Sequence, residues 1–223
     1  MEPPANNDAA ELKQRLRHVL FIGGPPDGGK TSIAEEIGRT YRFEVYHFDR
    51  HEMEHFSRAD PTSMPALYRA HPDRMTAEAR WLGSPPGIMA EETIDSWSER
   101  FTLAVEDLLQ MPASPHIVAE GPGFFPERLM PYLSEPNQAV WLVPSPAFKI
   151  ASVLRRDKPG SRWETTDPER AQRNLIERDL LMSRYVRETA RELGLTVLEI
   201  DGSRGLEQIL VEVEAHFGPL LKP

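Results

Sequence analysis

An apolar, partly β-branched run, Val19-Leu20-Phe21-Ile22-Gly23, passes straight into a glycine-rich bend, Gly24-Pro25-Pro26-Asp27-Gly28-Gly29-Lys30-Thr31. A helical pattern follows at once, in which Ile33, Ile37 and Tyr41 recur every fourth residue. This order of elements constrains the fold more than any other feature of the chain. A short strand that is apolar at every position is buried on both faces, and the helix behind it packs back across it. The bend fits G-x-x-x-x-G-K-[ST] at each fixed position, with Gly24, Gly29, Lys30 and Thr31 in place. Glycines let backbone N–H groups turn inward around an anion, because no side chain blocks the approach. The first turn of the following helix presents its positive end to the same point. Lys30 is placed to reach the β- and γ-phosphates of a nucleoside triphosphate, and the Thr31 hydroxyl to ligate Mg²⁺. The residues expected at the nucleotide are therefore Gly24, Asp27, Gly28, Gly29, Lys30, Thr31 and Ser32. Asp27 is the awkward one. A carboxylate beside polyphosphate is repulsive, so its side chain must turn outward or cap the loop's own amides.

The rest of the chain repeats the strand-then-helix rhythm. Phe43–Phe48 alternates and predicts a second strand, His116–Glu120 a third, Ala139–Val143 a fourth and Thr196–Ile200 a fifth. Between the second and third strands lies an irregular stretch, Arg50–Pro86, punctuated by prolines at 61, 65, 72, 85 and 86. Ile94, Trp97, Phe101, Ala104, Val105 and Leu108 then mark an amphipathic helix stopped by Pro112. Ser145-Pro146 and Asp167-Pro168 each open a helix with proline at its first position. The second of these is long and ends at Gly194, and a closing helix over Ser203–Phe217 stops at Gly218-Pro219. Residues 1–12 read as a disordered lead, and 13–223 as one domain. Short apolar strands alternating with helices predict an α/β fold, a parallel sheet with helices on both faces.

A chain of 223 residues fits one such domain. With no cysteine, neither a disulfide framework nor a thiolate metal site is possible, which favours a reducing compartment. A net charge of -9 argues against nonspecific nucleic-acid binding. No apolar run is long enough for a bilayer, and Met1–Arg17 has no signal-peptide character. The expectation is a soluble, cytoplasmic protein, monomer or homodimer, whose partner is a small molecule rather than nucleic acid or membrane.

Ligands of parallel sheets sit beyond the carboxyl ends of the strands, where strand order switches. The second strand delivers Asp49 to that rim, the third Glu120, the fourth Ser145 and the fifth Asp201-Gly202-Ser203. Two carboxylates beside a phosphate site have a natural use. One holds Mg²⁺, directly or through water, and the other takes a proton from an attacking hydroxyl. Arg155-Arg156-Asp157-Lys158-Pro159-Gly160-Ser161-Arg162-Trp163 is a basic loop long enough to fold over a nucleotide, and arginine's planar fork pairs with phosphate oxygens.

Taken together, this layout resembles the P-loop small-molecule kinases, the group of nucleoside, nucleotide and antibiotic phosphotransferases. The resemblance covers most of the chain in element order and implies a three-layer P-loop NTPase fold with sheet order 2-3-1-4-5, ATP and Mg²⁺ as cofactors, and a lid that closes over ATP. By resemblance Asp49 corresponds to the catalytic base and Glu120, with Thr31, to the Mg²⁺ side. Arg155, Arg156 and Arg162 look like lid arginines, and Gly202 lies where the adenine pocket is bordered. The acceptor side falls in an insertion over about 50–88, and the lid over about 155–168. Arginines that read an acceptor phosphate are available at Arg69, Arg74 and Arg80.

Two other classes compete. His51-Glu52-Met53-Glu54-His55 fits H-E-x-x-H, which on a helix puts both histidines on one side to bind zinc, with Glu52 as general base. Glu54 inside the motif and Asp49-Arg50 before it are unlike the apolar setting such helices have. A P-loop ATPase or nucleotide switch without an acceptor is the other. A guanine-reading N-K-x-D segment is absent, and Glu120 is followed by Gly121 rather than preceded by the aspartate of a motor. The expected activity is transfer of the γ-phosphoryl group of ATP to a hydroxyl or phosphate of a small molecule, with Lys30, Asp49, Glu120, Arg155, Arg156 and Arg162 as the catalytic set.

Overall fold

A computed structural model describes residues 6–155 and 160–222. In chain order the elements are α1 (Asn6–Leu16), β1 (Val19–Gly23), α2 (Lys30–Tyr41), β2 (Glu44–His47), α3 (Glu52–Arg58), α4 (Pro65–Ala70), α5 (Ala77–Leu82) and α6 (Pro86–Gln110). They continue with β3 (Ile117–Glu120), α7 (Pro126–Leu129), β4 (Ala139–Pro144), α8 (Pro146–Arg155), α9 (Pro168–Glu192), β5 (Thr196–Ile200) and α10 (Leu206–Phe217).

The five strands form one parallel sheet in the order β2-β3-β1-β4-β5. Position in the sheet follows composition. The inner strands β1, β3 and β4 are buried throughout, whereas the edge strands β2 and β5 carry exposed Glu44 and Glu199. Alternation along each strand divides the core in two. Val19, Phe21, Ala139, Trp141 and Val143 pack with α6 and α9 on one face. Leu20, Ile22, Val140 and Leu142 pack with Ile33 and Ile37 of α2 and Ile209, Val213 and Phe217 of α10 on the other. The fold is a three-layer α/β arrangement, a parallel sheet with helices on both faces, and its strand order reverses beside β1, so the crevice opens above β1 and β3.

Caps predicted from the sequence are made. Ser145 Oγ accepts the Phe148 N–H at 3.3 Å at the start of α8. Asp167 accepts the Arg170 N–H at 3.0 Å at the start of α9, and Gly194 follows that helix with φ of 68°.

Two boundaries differ from expectation. The helix α1 begins at Asn6, inside the lead expected to be unstructured. Its last residue, Leu16, is fully buried, and Arg15 donates to the Leu109 carbonyl at 3.1 Å, so the segment is fastened to the end of α6. The second strand stops at His47, and Phe48–His51 turns as a 3₁₀ helix that carries Asp49 to the rim. Within the irregular stretch, α3 and α4 form a small core of Phe56 and Leu67 against Leu103 of α6. The insertion is thus a wall built on α6. Among the described residues no helix is long and apolar enough to cross a membrane.

Candidate functional site

The bend between β1 and α2 folds around its own backbone. Gly24 has φ of 121°, and a Cβ there would run into the Leu142 carbonyl oxygen. Gly29, at φ of 82°, turns the chain into α2 in a conformation that only glycine adopts without strain. Among the described residues, no carbonyl or carboxylate takes the N–H groups of Gly28, Gly29, Lys30 and Thr31, which is the state a helix start presents to an anion. Ser32 is exposed on the first turn of α2.

Lys30 is buried, and its Nζ donates to the Pro25 carbonyl at 2.8 Å inside the bend. Burial pulls its pKa below the ordinary lysine value; the nearby carboxylates of Glu120, Asp49 and Asp27 pull the other way, while Lys149 adds to the lowering. An ammonium held so, short of anionic partners, is improved by any phosphate placed beside it.

Asp27 also has a left-handed backbone, with φ of 72°, and its carboxylate is turned to Lys149, whose Nζ lies 2.6 Å from Asp27 Oδ2. The same Nζ is 2.6 Å from Asp179 Oδ2 on α9. Lys149 and Asp179 are 1% and 2% exposed, so this is an interior ion triad that ties the bend to α8 and α9. The carboxylate, expected to turn outward or to cap the loop's own amides, meets the buried Lys149 ammonium.

Strand register brings the acidic rim together. Glu120 is level with Ile22 on one side and with His47 on the other. Its Oε1 accepts from the Thr31 hydroxyl at 3.2 Å and pairs with His47 Nδ1 at 2.9 Å. With that nitrogen donating to the carboxylate, His47 Nε2 lies 3.8 Å from Glu35 Oε1, which also takes Arg50 at 2.9 Å. Sequence reasoning missed His47. Its only signal was its place at the end of a strand whose neighbour ends in Glu120, and that neighbour relation needs the strand order. Asp49, one turn further on, is exposed; its carbonyl accepts the Glu52 N–H, and its carboxylate has no hydrogen bond or ion pair among the described residues.

The lid arginines separate. Arg162 is buried in the 3₁₀ turn Ser161–Glu164, over the Trp163 ring at 4.9 Å, and helps line a cavity of about 170 Å³ with Pro26, Asp27 and Lys149. Arg155 is exposed at the end of α8, away from that cavity's lining. Arg156 lies outside the described residues. Gly202, with φ of 86°, faces the Phe148 ring of α8 in the loop after β5, where Asp201 caps Ser203. The structure gathers Lys30, Thr31, Asp49, Glu120 and Arg162 around the bend, and leaves Arg155 and Gly202 at its periphery.

The histidine motif is engaged in a structural network. His55 is fully buried; its Nδ1 accepts from Arg100 Nε at 3.1 Å and its Nε2 donates to Asp107 Oδ2 at 2.7 Å. Neither ring nitrogen has a lone pair left for a metal. Burial, together with Arg100, holds the His55 pKa below its ordinary value despite Asp107. The Glu52 carboxylate lies 3.3 Å from Arg100 Nη1, and His51 stacks on Tyr46 at 4.5 Å. Among the described residues no cluster of His, Asp or Glu is arranged to hold a metal ion by itself. Arg100, from α6, also donates to the Phe48 carbonyl and lies over the Phe48 ring at 3.9 Å. The motif and Arg100 together clamp the turn that carries Asp49.

No family model and no curated protein matches the chain. Among solved structures it is similar to TT1252 from Thermus thermophilus, known from a crystal structure, with 18% identity, 87% of this chain and 97% of that one covered, and a TM-score of 0.47.

Proposed function

We propose that this chain is an ATP- and Mg²⁺-dependent phosphotransferase that moves the γ-phosphoryl group onto a hydroxyl or phosphate of a small molecule. The observation that carries the reading is the convergence on one bend of the buried Lys30 ammonium, the Thr31–Glu120 oxygen pair, and N–H groups and an Asp49 carboxylate that have no partner among the described residues.

Loop amides and Lys30 hold the β- and γ-phosphates, and Arg162, which lines a cavity beside Pro26 and Asp27, is assigned to the charge on the migrating group. Hydroxyl and carboxylate oxygens are the donors magnesium prefers, so Thr31 and Glu120 fit that ion. Bound there, Mg²⁺ supplies neutralisation of phosphate charge. His47, donating to Glu120, fixes the orientation of that carboxylate. In the transfer, an acceptor oxygen bonds to the γ-phosphorus as the bond to the β,γ-bridging oxygen breaks. ADP leaves with that electron pair, and a hydroxyl acceptor's proton passes to Asp49. The chain's contribution is position and charge.

ADP release with and without hydroxyl-bearing small molecules tests the reading against an acceptor-independent ATPase. A phosphotransferase stays nearly silent alone and turns over when its acceptor is added. Steady hydrolysis that no small molecule changes would replace it with the ATPase or switch.

A further inference from the structure

Beyond the bend, the wall formed by α3, α4, α5 and α6 encloses a cavity of about 140 Å³. That is close to the volume that takes one benzene-sized ring. Its apolar side is Phe56, Leu67, Met75, Met89 and Trp97, and its polar side is formed largely by arginines. Four of them, Arg69, Arg80, Arg100 and Arg178, face it against two glutamates, Glu52 and Glu92.

Those arginines are not equally committed. Arg100 is held by His55, Glu52 and the Phe48 carbonyl. Arg178 makes two hydrogen bonds to Asp179, at 2.9 and 2.7 Å, and lies over Trp81. Arg80 is half-buried, donates to the Ala70 carbonyl at 2.7 Å, and meets no carboxylate within ion-pair distance among the described residues. Burial pulls its pKa below the ordinary arginine value; Glu52 opposes that and the like charge of Arg178 adds to it. Exposed Arg69 likewise has no ion pair among the described residues. Half-buried Arg80 thus faces a part-apolar cavity with no ion pair among the described residues, a costly arrangement that an anion would relieve, and exposed Arg69 stands on the same lining.

We infer that the acceptor is a small organic anion, a carboxylate or a phosphate ester, whose apolar body fills this cavity and whose charge is read by Arg80 and Arg69. The inference rests on the phosphotransferase reading for the direction of the acceptor oxygen. Glu52 lines the cavity and begins the helix that follows the Asp49 turn. Arg178 lines both this cavity and the one beside Pro26, Asp27 and Arg162, so the two share a wall.

Phenyl phosphate, benzoate and uncharged benzyl alcohol, titrated into the full chain saturated with a nonhydrolysable ATP analogue and Mg²⁺, separate the possibilities. At least one of the two anions is expected to bind about tenfold or more tighter than benzyl alcohol, as a charge-assisted hydrogen-bond pair requires. Which anion is preferred distinguishes carboxylate from phosphate. Arg80→Gln, and to a smaller extent Arg69→Gln, should abolish the preference, while Lys30→Ala leaves it in place because the phosphate loop is not its source. Equal binding of the three probes by the unaltered chain overturns the inference, as does a preference lost in Lys30→Ala but kept in Arg80→Gln. If the analogue binds and no anion is preferred, the acceptor class is wrong while the phosphotransferase reading stands. If the anion preference and its Arg80 dependence persist although the analogue never binds, the cavity is an anion site and the phosphotransferase reading falls.

Discussion

At the scale of single residues, Lys149 ties the bend to two helices. Its ammonium is the common partner of Asp27 in the bend and Asp179 on α9, all three side chains being at most 9% exposed. Breaking a buried ion group costs about 3–5 kcal/mol, and because Arg178 still pairs with Asp179 at 2.7 Å the low end, about 3 kcal/mol, applies here. Lys149→Met should lower stability by that amount in urea unfolding, and adding Asp27→Asn should restore part of it. A loss under about 1 kcal/mol would show the triad to be solvated in practice. Half of this was legible in the sequence. Asp27 stood out as a carboxylate in the wrong place, but its partner lies 122 positions away and only the fold brings them together.

At the scale of elements, the turn Phe48–His51 decides whether Asp49 is positioned, and α6 decides whether that turn holds. Arg100 is 1% exposed and binds the Phe48 carbonyl, His55 and Glu52 from below. Arg100→Met should cost about 2–4 kcal/mol, since it leaves the buried Phe48 carbonyl and the Nδ1 of His55 without their partner. Because the turn rather than the phosphate loop is loosened, turnover should fall more than affinity for the ATP analogue; equal losses in both would contradict the clamp. Asp49→Asn should keep analogue binding and lose most turnover; an effect on unfolding alone would make Asp49 structural and pass the role of base to Glu120. The sequence showed the i, i+4 histidine pair but not where it pointed. His55 is turned into α6, where it meets Arg100 and Asp107, while His51 ends the 3₁₀ turn before α3 and stacks on Tyr46. Spacing alone does not separate a ligand pair from a buried network. His47 was hidden for a related reason, since its contact with Glu120 follows from β2 pairing with β3, a long-range choice that local pattern does not encode.

At the scale of the whole molecule, histidines set the acid limit. His18 before β1, His55 in α3 and His216 in α10 all have pKa values lowered from 6.5, first by burial in each case. The unfolded chain therefore binds more protons than the folded one just below pH 6.5, and stability falls as pH drops through that value toward the lower folded pKa values. The urea midpoint should decline between pH 7.5 and 5.5, and a His18→Gln, His216→Gln double variant should show a flatter profile. A midpoint independent of pH over this range would contradict the burial assigned to these rings. The architecture itself was largely readable. Apolar runs gave five strands, proline and glycine gave the helix ends, and the phosphate-loop motif fixed which crossover begins the sheet. Strand order came only by resemblance, and the fastening of α1 escaped because Leu16 finds its burial against distant parts of the chain.

The claim on which the rest depends is that the β1–α2 bend binds the triphosphate of ATP with magnesium. Calorimetric titration of the intact chain with a nonhydrolysable ATP analogue, with and without Mg²⁺ and beside Lys30→Ala, measures this directly. The account predicts saturable binding to one site, strengthened by Mg²⁺ and weakened at least about tenfold in Lys30→Ala, the loss of one charge-assisted contact to phosphate. No heat at millimolar analogue, or equal affinity in the folded Lys30→Ala chain, would contradict it.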